Sequence, residues 1–366
     1  MTIKSIKIIS VIYLLSLTNI SQAQSHFKEY KNLFAPPLSY VTGHTTSAPI
    51  IDGDINDDAW MKAEWTSFFE DIEGTTKPKP YYKTRAKLLW DKTYLYIAAE
   101  LEESHVWATL SQRDEIVFHD NDFEIFIDPT NTTHQYFEIE INALNNIFDL
   151  FLPKPYRNRG SALFSWNTPG MKHAVKINGT LNNPDDKDQA WTVEFAIPFS
   201  ALTMGNHIHI PKDGDIWRIN FSRVQWETEI IGKKYIKKKD STGKPLPEYN
   251  WVWSPQGVID MHRPERWGYL LFSEIEAGTN LPVFELPYSE LQKQYLWLIY
   301  YKQNSFRSKN KHYATSLSEL GLKDIVDITN ITNKLTVHAT KSQFTAIIKD
   351  VSGNTIRINE EGLIMK

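Results

Sequence analysis

The ten residues Asp120-Asn121-Asp122-Phe123-Glu124-Ile125-Phe126-Ile127-Asp128-Pro129 concentrate the groups in this chain that are able to do chemistry. Polar and apolar residues alternate with a period of two, the signature of a half-buried strand. Phe123, Ile125 and Ile127 then face a core, and Asp122, Glu124, Phe126 and Asp128 share the other face. Such carboxylates accept charge-assisted hydrogen bonds from vicinal hydroxyls, and the ring among them adds an apolar platform. This face suits a hydroxylated ligand or a hard cation. The plainer reading is a solvated strand face closed by an Asp-Pro turn.

Glu138, Glu140 and Asn142 repeat the alternation on a second segment, either as a polar groove lining or, favoured, as a face in water. Asp52, Asp54, Asn56 and Asp58 alternate oxygen-bearing side chains around Gly53. Calcium wants six or more oxygens, and the loop lacks the distal Glu of a helix-loop-helix site. It reads as a turn first. No cofactor is expected, with structural calcium the single option left open.

The elements that must position these groups are strands. Ala86–Leu89, the turn Trp90-Asp91-Lys92-Thr93 and Tyr94–Leu101 form a hairpin pattern. Further strand signals fall at 136–142, 147–152, 174–177, 191–197, 217–226 and 268–272. Short strands separated by polar turns predict a mainly β fold, a two-sheet antiparallel β-sandwich. The basic cluster Lys233, Lys234, Lys237, Lys238 and Lys239 sits at the tip of a long hairpin and reads as solvated. Beyond Gly278 the pattern changes. Leu291, Tyr295, Leu298 and Ile299 have helical spacing, and 334–338, 344–349 and 355–359 read as a small meander. The expected organisation is a signal peptide (1–23), a linker (24–39), a β-sandwich (40–275) and a small C-terminal helix-plus-sheet appendix (280–366).

Lys4 and Lys7 precede the apolar run Ile8–Leu17, which ends in Ser21-Gln22-Ala23. This is the layout of a secretory signal peptide cleaved after Ala23, and it predicts a bacterial periplasmic or secreted protein. The run is too short to span a bilayer, and no later segment reads as a membrane span. There is no cysteine, so neither disulfides nor an N-terminal lipid-modified Cys is available. A core must carry stability, and a mature chain of roughly 340 residues is long enough for one large domain and a small one. A net charge of −4 gives no sign of a nucleic-acid partner. The chain carries 12 Trp, 17 Tyr and 18 Phe, which serve equally as an aromatic core or as stacking platforms for sugar rings.

Five segments carry a resemblance together: Ile51-Asp52-Gly53-Asp54 with Asp57 and Trp60; Trp90-Asp91 with Tyr94-Leu95-Tyr96; Asp122–Asp128; Trp191–Pro198; and Asn220-Phe221-Ser222-Arg223. Trp253-Ser254-Pro255 and Arg263-Pro264-Glu265-Arg266-Trp267-Gly268 close the pattern. Over about residues 40 to 275 the chain resembles the family 9 carbohydrate-binding modules and their DOMON-like β-sandwich relatives. The resemblance implies a sandwich that holds a saccharide non-covalently between two aromatic rings, with carboxylates and amides on its hydroxyls. The family's carboxylate falls on Glu124 and its first stacking ring on Phe118. Its second ring falls near Met261, which has no ring, and a basic residue of the family is replaced by Glu138.

Each remaining position has two readings. Glu124 is a hydroxyl acceptor or an ion-pair partner of Arg85, Lys87 or Arg223. Arg223 interrupts the apolar face made by Trp217, Ile219 and Phe221; a buried Arg wants a carboxylate, which favours a structural pair over a ligand contact. Asn220 bonds a sugar hydroxyl or a neighbouring strand. Trp253 is one of several tryptophans able to stand in for the missing ring, whereas Trp60, Trp90 and Trp191 read as core. The expected ligand-binding set is therefore Phe118, Glu124, Asn220, Arg223, Trp253 and Met261, with no catalytic residue.

The expected function is an exported, non-catalytic carbohydrate-binding protein serving polysaccharide uptake or breakdown. The alternatives are a glycoside hydrolase or an accessory part of one, and a structural or assembly sandwich with a vestigial groove. Hydrolysis needs two carboxylates at a set separation, and no motif here fixes one. Haem ligation through Met261-His262 is a minor reading, because neighbours on one loop cannot easily reach opposite faces of the iron.

Overall fold

A computed structural model describes residues 27–203 and 210–366; the expected signal peptide and its cleavage site lie outside the described residues. The chain divides into two compact units. One is Pro37–Glu285; the other joins Leu286–Lys366 with the residues up to Pro36.

The strands of the larger unit are β1 (Ser39–His44), β2 (Glu70–Asp71), β3 (Thr84–Trp90), β4 (Tyr94–Glu102), β5 (Asp122–Asp128), β6 (Tyr136–Asn142), β7 (Ile147–Leu152), β8 (Lys172–Asn178), β9 (Ala190–Pro198), β10 (Ile216–Gln225), β11 (Thr228–Ile231), β12 (Lys234–Lys237), β13 (Tyr249–Val252) and β14 (Gly268–Glu276). Hydrogen bonding links them in the order β7-β6-β5-β10-β14-β1-β3-β4-β9-β8, with β13 beside β10 and β2 beside β13. Strands β11 and β12 form a separate hairpin that carries part of the basic cluster.

The fold is a mainly β sandwich. Period-two alternation sends Phe123, Ile125 and Ile127 of β5 into the same core as Ile97 of β4 and Val193, Phe195 and Ile197 of β9. Phe123 and Phe195 meet across the layers with ring centroids 6.4 Å apart. Each such buried side chain contributes roughly 1.5–3 kcal/mol. The two layers are continuous rather than separate. They are joined by β1, which pairs parallel to both β14 and β3. The register of β1 shifts between Gly43 and His44, where a Cβ on Gly43 would sit 2.8 Å from the Ala277 Cα. Only glycine allows that approach.

In the smaller unit a 23-residue helix, Tyr288–Asn310, packs on a five-stranded antiparallel sheet. Leu296, Ile299 and Tyr300 share a core with Leu335, Ile348 and Ile358. Among the described residues no helix is long and apolar enough to cross a membrane.

Candidate functional site

The alternation that fills the core of β5, β6 and β10 also builds their outer face. Register sets Glu124 opposite Glu140, Phe126 opposite Glu138 and Asp122 opposite Asn142. Strand β10 places Ser222 beside Glu124 and Asn220 beside Phe126. Cross-strand pairs share a face, so Asp122, Glu124, Glu138 and Glu140 form one acidic floor. All four are buried.

A cavity of about 300 Å³ lies over this floor. Glu124, Glu138 and Glu140 line it, with Phe118 on the turn Val117–His119, Phe148 and Leu150 of β7, and Tyr156, Phe164, Met261 and His262 from irregular segments. Glu248 and Asn250 complete the rim on the side of β13. Tyr156 and Phe164 are exposed, at 43% and 56%. Phe164 stacks on Phe148 with centroids 5.8 Å apart, and Tyr156 meets His262 edge-on at 4.5 Å.

Burial pushes Glu124 up to about 7, with the Glu248 charge adding to it. Burial also raises Asp122, Glu138 and Glu140 well above the usual carboxylate range, and the Glu124 charge adds to each. Desolvation disfavours the ionised form, and neighbouring carboxylates disfavour it further. Few donors offset this. Asp122 Oδ1 accepts the Val224 N–H at 3.2 Å, and Glu140 Oε2 accepts the Phe118 N–H at 3.1 Å. Asp122 Oδ2 and Glu138 Oε2 are buried without a partner. His262 is held the other way: burial and the Arg157 charge lower it to about 4. Its Nδ1 lies 2.9 Å from the Tyr136 hydroxyl.

Phe118, Glu124 and Met261 therefore come together on one cavity, and three other expected residues do not. Asn220 is fully buried; its Nδ2 donates to Ser254 O and its Oδ1 accepts Ser254 N, each at 2.9 Å. It ties β10 to the segment after β13. Arg223 is sealed in the core, where its Nη2 pairs with Glu103 Oε2 at 3.1 Å and its Nη1 donates to Thr84 Oγ1 and Glu102 O. Trp253 packs in the core beside Phe221. These three hold the sandwich and are corrected from ligand-facing to structural. The ion-pair reading of Glu124 also falls away, since Arg85 pairs with Glu100, Lys87 bonds Ile55 O and Trp60 O, and Arg223 pairs with Glu103.

The acidic turn at 52–58 spends its oxygens locally. Asp52 Oδ1 accepts Asp54 N at 2.8 Å, Asp54 pairs with Lys176 at 2.8 Å, and Asp57 caps the short helix Asp58–Met61 through Trp60 N. Glu194 of β9 fastens the turn by accepting from the backbone N–H groups of Asp52 and Gly53 and from Trp60 Nε1.

Glu140, Tyr156, Phe164, His262, Glu248 and Asn250 were not expected at the site. Glu140 was visible as part of a polar strand face, but only the register shows that it sits opposite Glu124. The others lie on short or irregular segments that carry no periodic signal.

The sequence profile of the carbohydrate family 9 binding domain-like family matches residues 51–253. Exoglucanase XynX of Acetivibrio thermocellus and endo-1,4-beta-xylanase A of Thermoanaerobacterium saccharolyticum are each 26% identical over 158 residues, 43% of this chain. The match covers 12% and 11% of those proteins' lengths. Among solved structures, a carbohydrate-binding candidate from Bacteroides uniformis is 17% identical with a TM-score of 0.47, covering 65% of this chain and 100% of its own. A family 9 module from Caldicellulosiruptor kristjanssonii in complex with cellotriose is 15% identical with a TM-score of 0.38, covering 67% and 100%. The profile match spans over half of the chain, and the protein belongs to the carbohydrate family 9 binding domain-like family.

Proposed function

We propose that this chain is an exported, non-catalytic carbohydrate-binding protein that holds a saccharide in the groove over β5 and β6. One observation carries the reading: buried carboxylates line the same cavity as the exposed rings Tyr156 and Phe164 and the half-buried Phe118. Carboxylates accept from vicinal hydroxyls, and rings meet the apolar C–H faces of a sugar. The cavity falls at the small end of the range of ligand sites, about 300–1,000 Å³, which fits one sugar unit with neighbours extending into solvent. Phe118 and Glu124 are the primary contacts, and Met261 supplies apolar surface where no ring stands. Glu140, Tyr156 and Phe164 extend the set. Export rests on the leader-like residues 1–23, and service to polysaccharide breakdown or uptake rests on the company kept by the exoglucanase and xylanase relatives.

The test is a glycan array on the mature chain, followed by calorimetry with xylo- and cello-oligosaccharides and a reducing-sugar release assay. Saturable binding without release of reducing ends is expected. Release of sugar would make the protein a hydrolase, and silence across the array would leave the groove vestigial.

A further inference from the structure

The acidic floor contains a nest of the size of a metal ion. Asp122, Glu124 and Glu140 each offer one oxygen, and the three oxygens lie within 4.8 Å of one another. A hard divalent cation bound by oxygens at about 2.3–2.6 Å spans pairs up to about 5 Å apart. Two further observations point to a ligand there. Asp122 Oδ2 and Glu138 Oε2 are both buried and have no hydrogen-bond partner, although such groups are nearly always paired. No Lys or Arg among the described residues forms an ion pair with any of the four carboxylates. Arg157 is engaged with Glu265, and Arg223 with Glu103. Four buried acids without a counter-charge are costly, and a cation relieves that cost directly.

We propose that Asp122, Glu124 and Glu140 hold one hard divalent cation of the calcium class at the floor of the groove. Glu138 stands on the same wall. Glu124 and Glu140 line the cavity, whereas Asp122 is fully buried and does not. The ion therefore sits at the boundary, with its open coordination positions toward the groove. Where the saccharide reading above holds, those positions take vicinal hydroxyls. The site is separate from the acidic turn at 52–58, whose oxygens serve backbone N–H groups and Lys176.

The experiment is calorimetry and thermal melting of the mature chain after EDTA stripping, titrated with calcium chloride and separately with magnesium chloride, with no sugar present. One saturable calcium site and a raised melting temperature are expected. In Asp122→Asn and Glu140→Gln the affinity should fall at least tenfold. Absence of saturable binding overturns the proposal, and so does undiminished binding in both variants. Should either variant fail to fold, wild-type crystals soaked in manganese(II) decide the matter. An anomalous peak among the three carboxylates supports the site, and a peak elsewhere or no peak overturns it. Because no saccharide is involved, failure here leaves the sugar reading standing, and the reverse holds too.

Discussion

The backbone N–H of Phe118 donates to Glu140 Oε2 at 3.1 Å. A ring on one wall of the groove is thereby fixed by a carboxylate on its floor, and Trp226 Nε1 holds the same turn through Phe118 O at 2.8 Å. Removing the acceptor leaves the N–H unpaired, a loss of about 1–3 kcal/mol. Glu140→Ala should therefore loosen the turn and weaken saccharide binding by about tenfold, that is about 1.4 kcal/mol. Calorimetry on variant and wild type reads this. Equal affinities would mean that the turn holds its place without Glu140.

Phe164 is 56% exposed and stacks on Phe148. Truncating an exposed ring alters stability by less than about 0.5 kcal/mol. Phe164→Ala should lower saccharide affinity several-fold while the melting temperature stays within about 2 °C. A large drop in melting temperature with unchanged binding would place the ring in the fold instead of the site.

The ion pair of Arg223 with Glu103 is buried on both sides. Breaking such a pair by removing one partner costs about 3–5 kcal/mol, because the other charge is left uncompensated. Arg223→Met should lower unfolding free energy by that order in urea titration. The remaining folded protein should bind sugar as wild type does. Weakened binding at full stability would return Arg223 to the ligand set.

His262 has its protonation point lowered to about 4 in the fold from an ordinary 6.5. The unfolded chain takes up a proton between those values before the folded chain does, so acid favours unfolding there. This contribution is fully present above about pH 6.5 and is lost as the pH falls toward 4. The buried carboxylates act oppositely, so the variant comparison isolates the imidazole. The stability of wild type relative to His262→Asn should decline on acidification through that window. A constant difference would show that His262 titrates normally.

If the proposed cation presents hydroxyl-binding positions, saccharide affinity should fall about tenfold when calcium is replaced by EDTA, and Glu140→Gln should abolish that difference. Calorimetry in the two buffers measures it. Equal affinities would separate the ion from sugar recognition.

Much of the architecture was legible because burial imposes periodicity. Asp122–Asp128 alternates except at Phe126, and its two faces lie where the pattern put them. The spacing of Leu291, Tyr295 and Leu298 likewise marked the helix Tyr288–Asn310. The parallel seam made by β1 was not legible, since strand direction and register depend on contacts far apart in sequence. The site divides the same way. Phe118, Glu124 and Met261 meet on the cavity, but Asn220 looked free only because Ser254, 34 residues away, could not be seen covering it. Arg223 was recognisable as a charge on an apolar face, yet its partner Glu103 stands 120 residues earlier on a loop with no pattern. Glu140 required the pairing register, and Tyr156 and Phe164 required the path of an irregular segment.

The most direct measurement is a binding titration of the mature wild-type chain against Glu124→Gln, using whichever oligosaccharide the array selects, with melting curves recorded in parallel. Saturable binding by the wild type and at least a tenfold loss in the variant, at an equal or higher melting temperature, are expected. Equal binding by both proteins would contradict Glu124 as a primary contact.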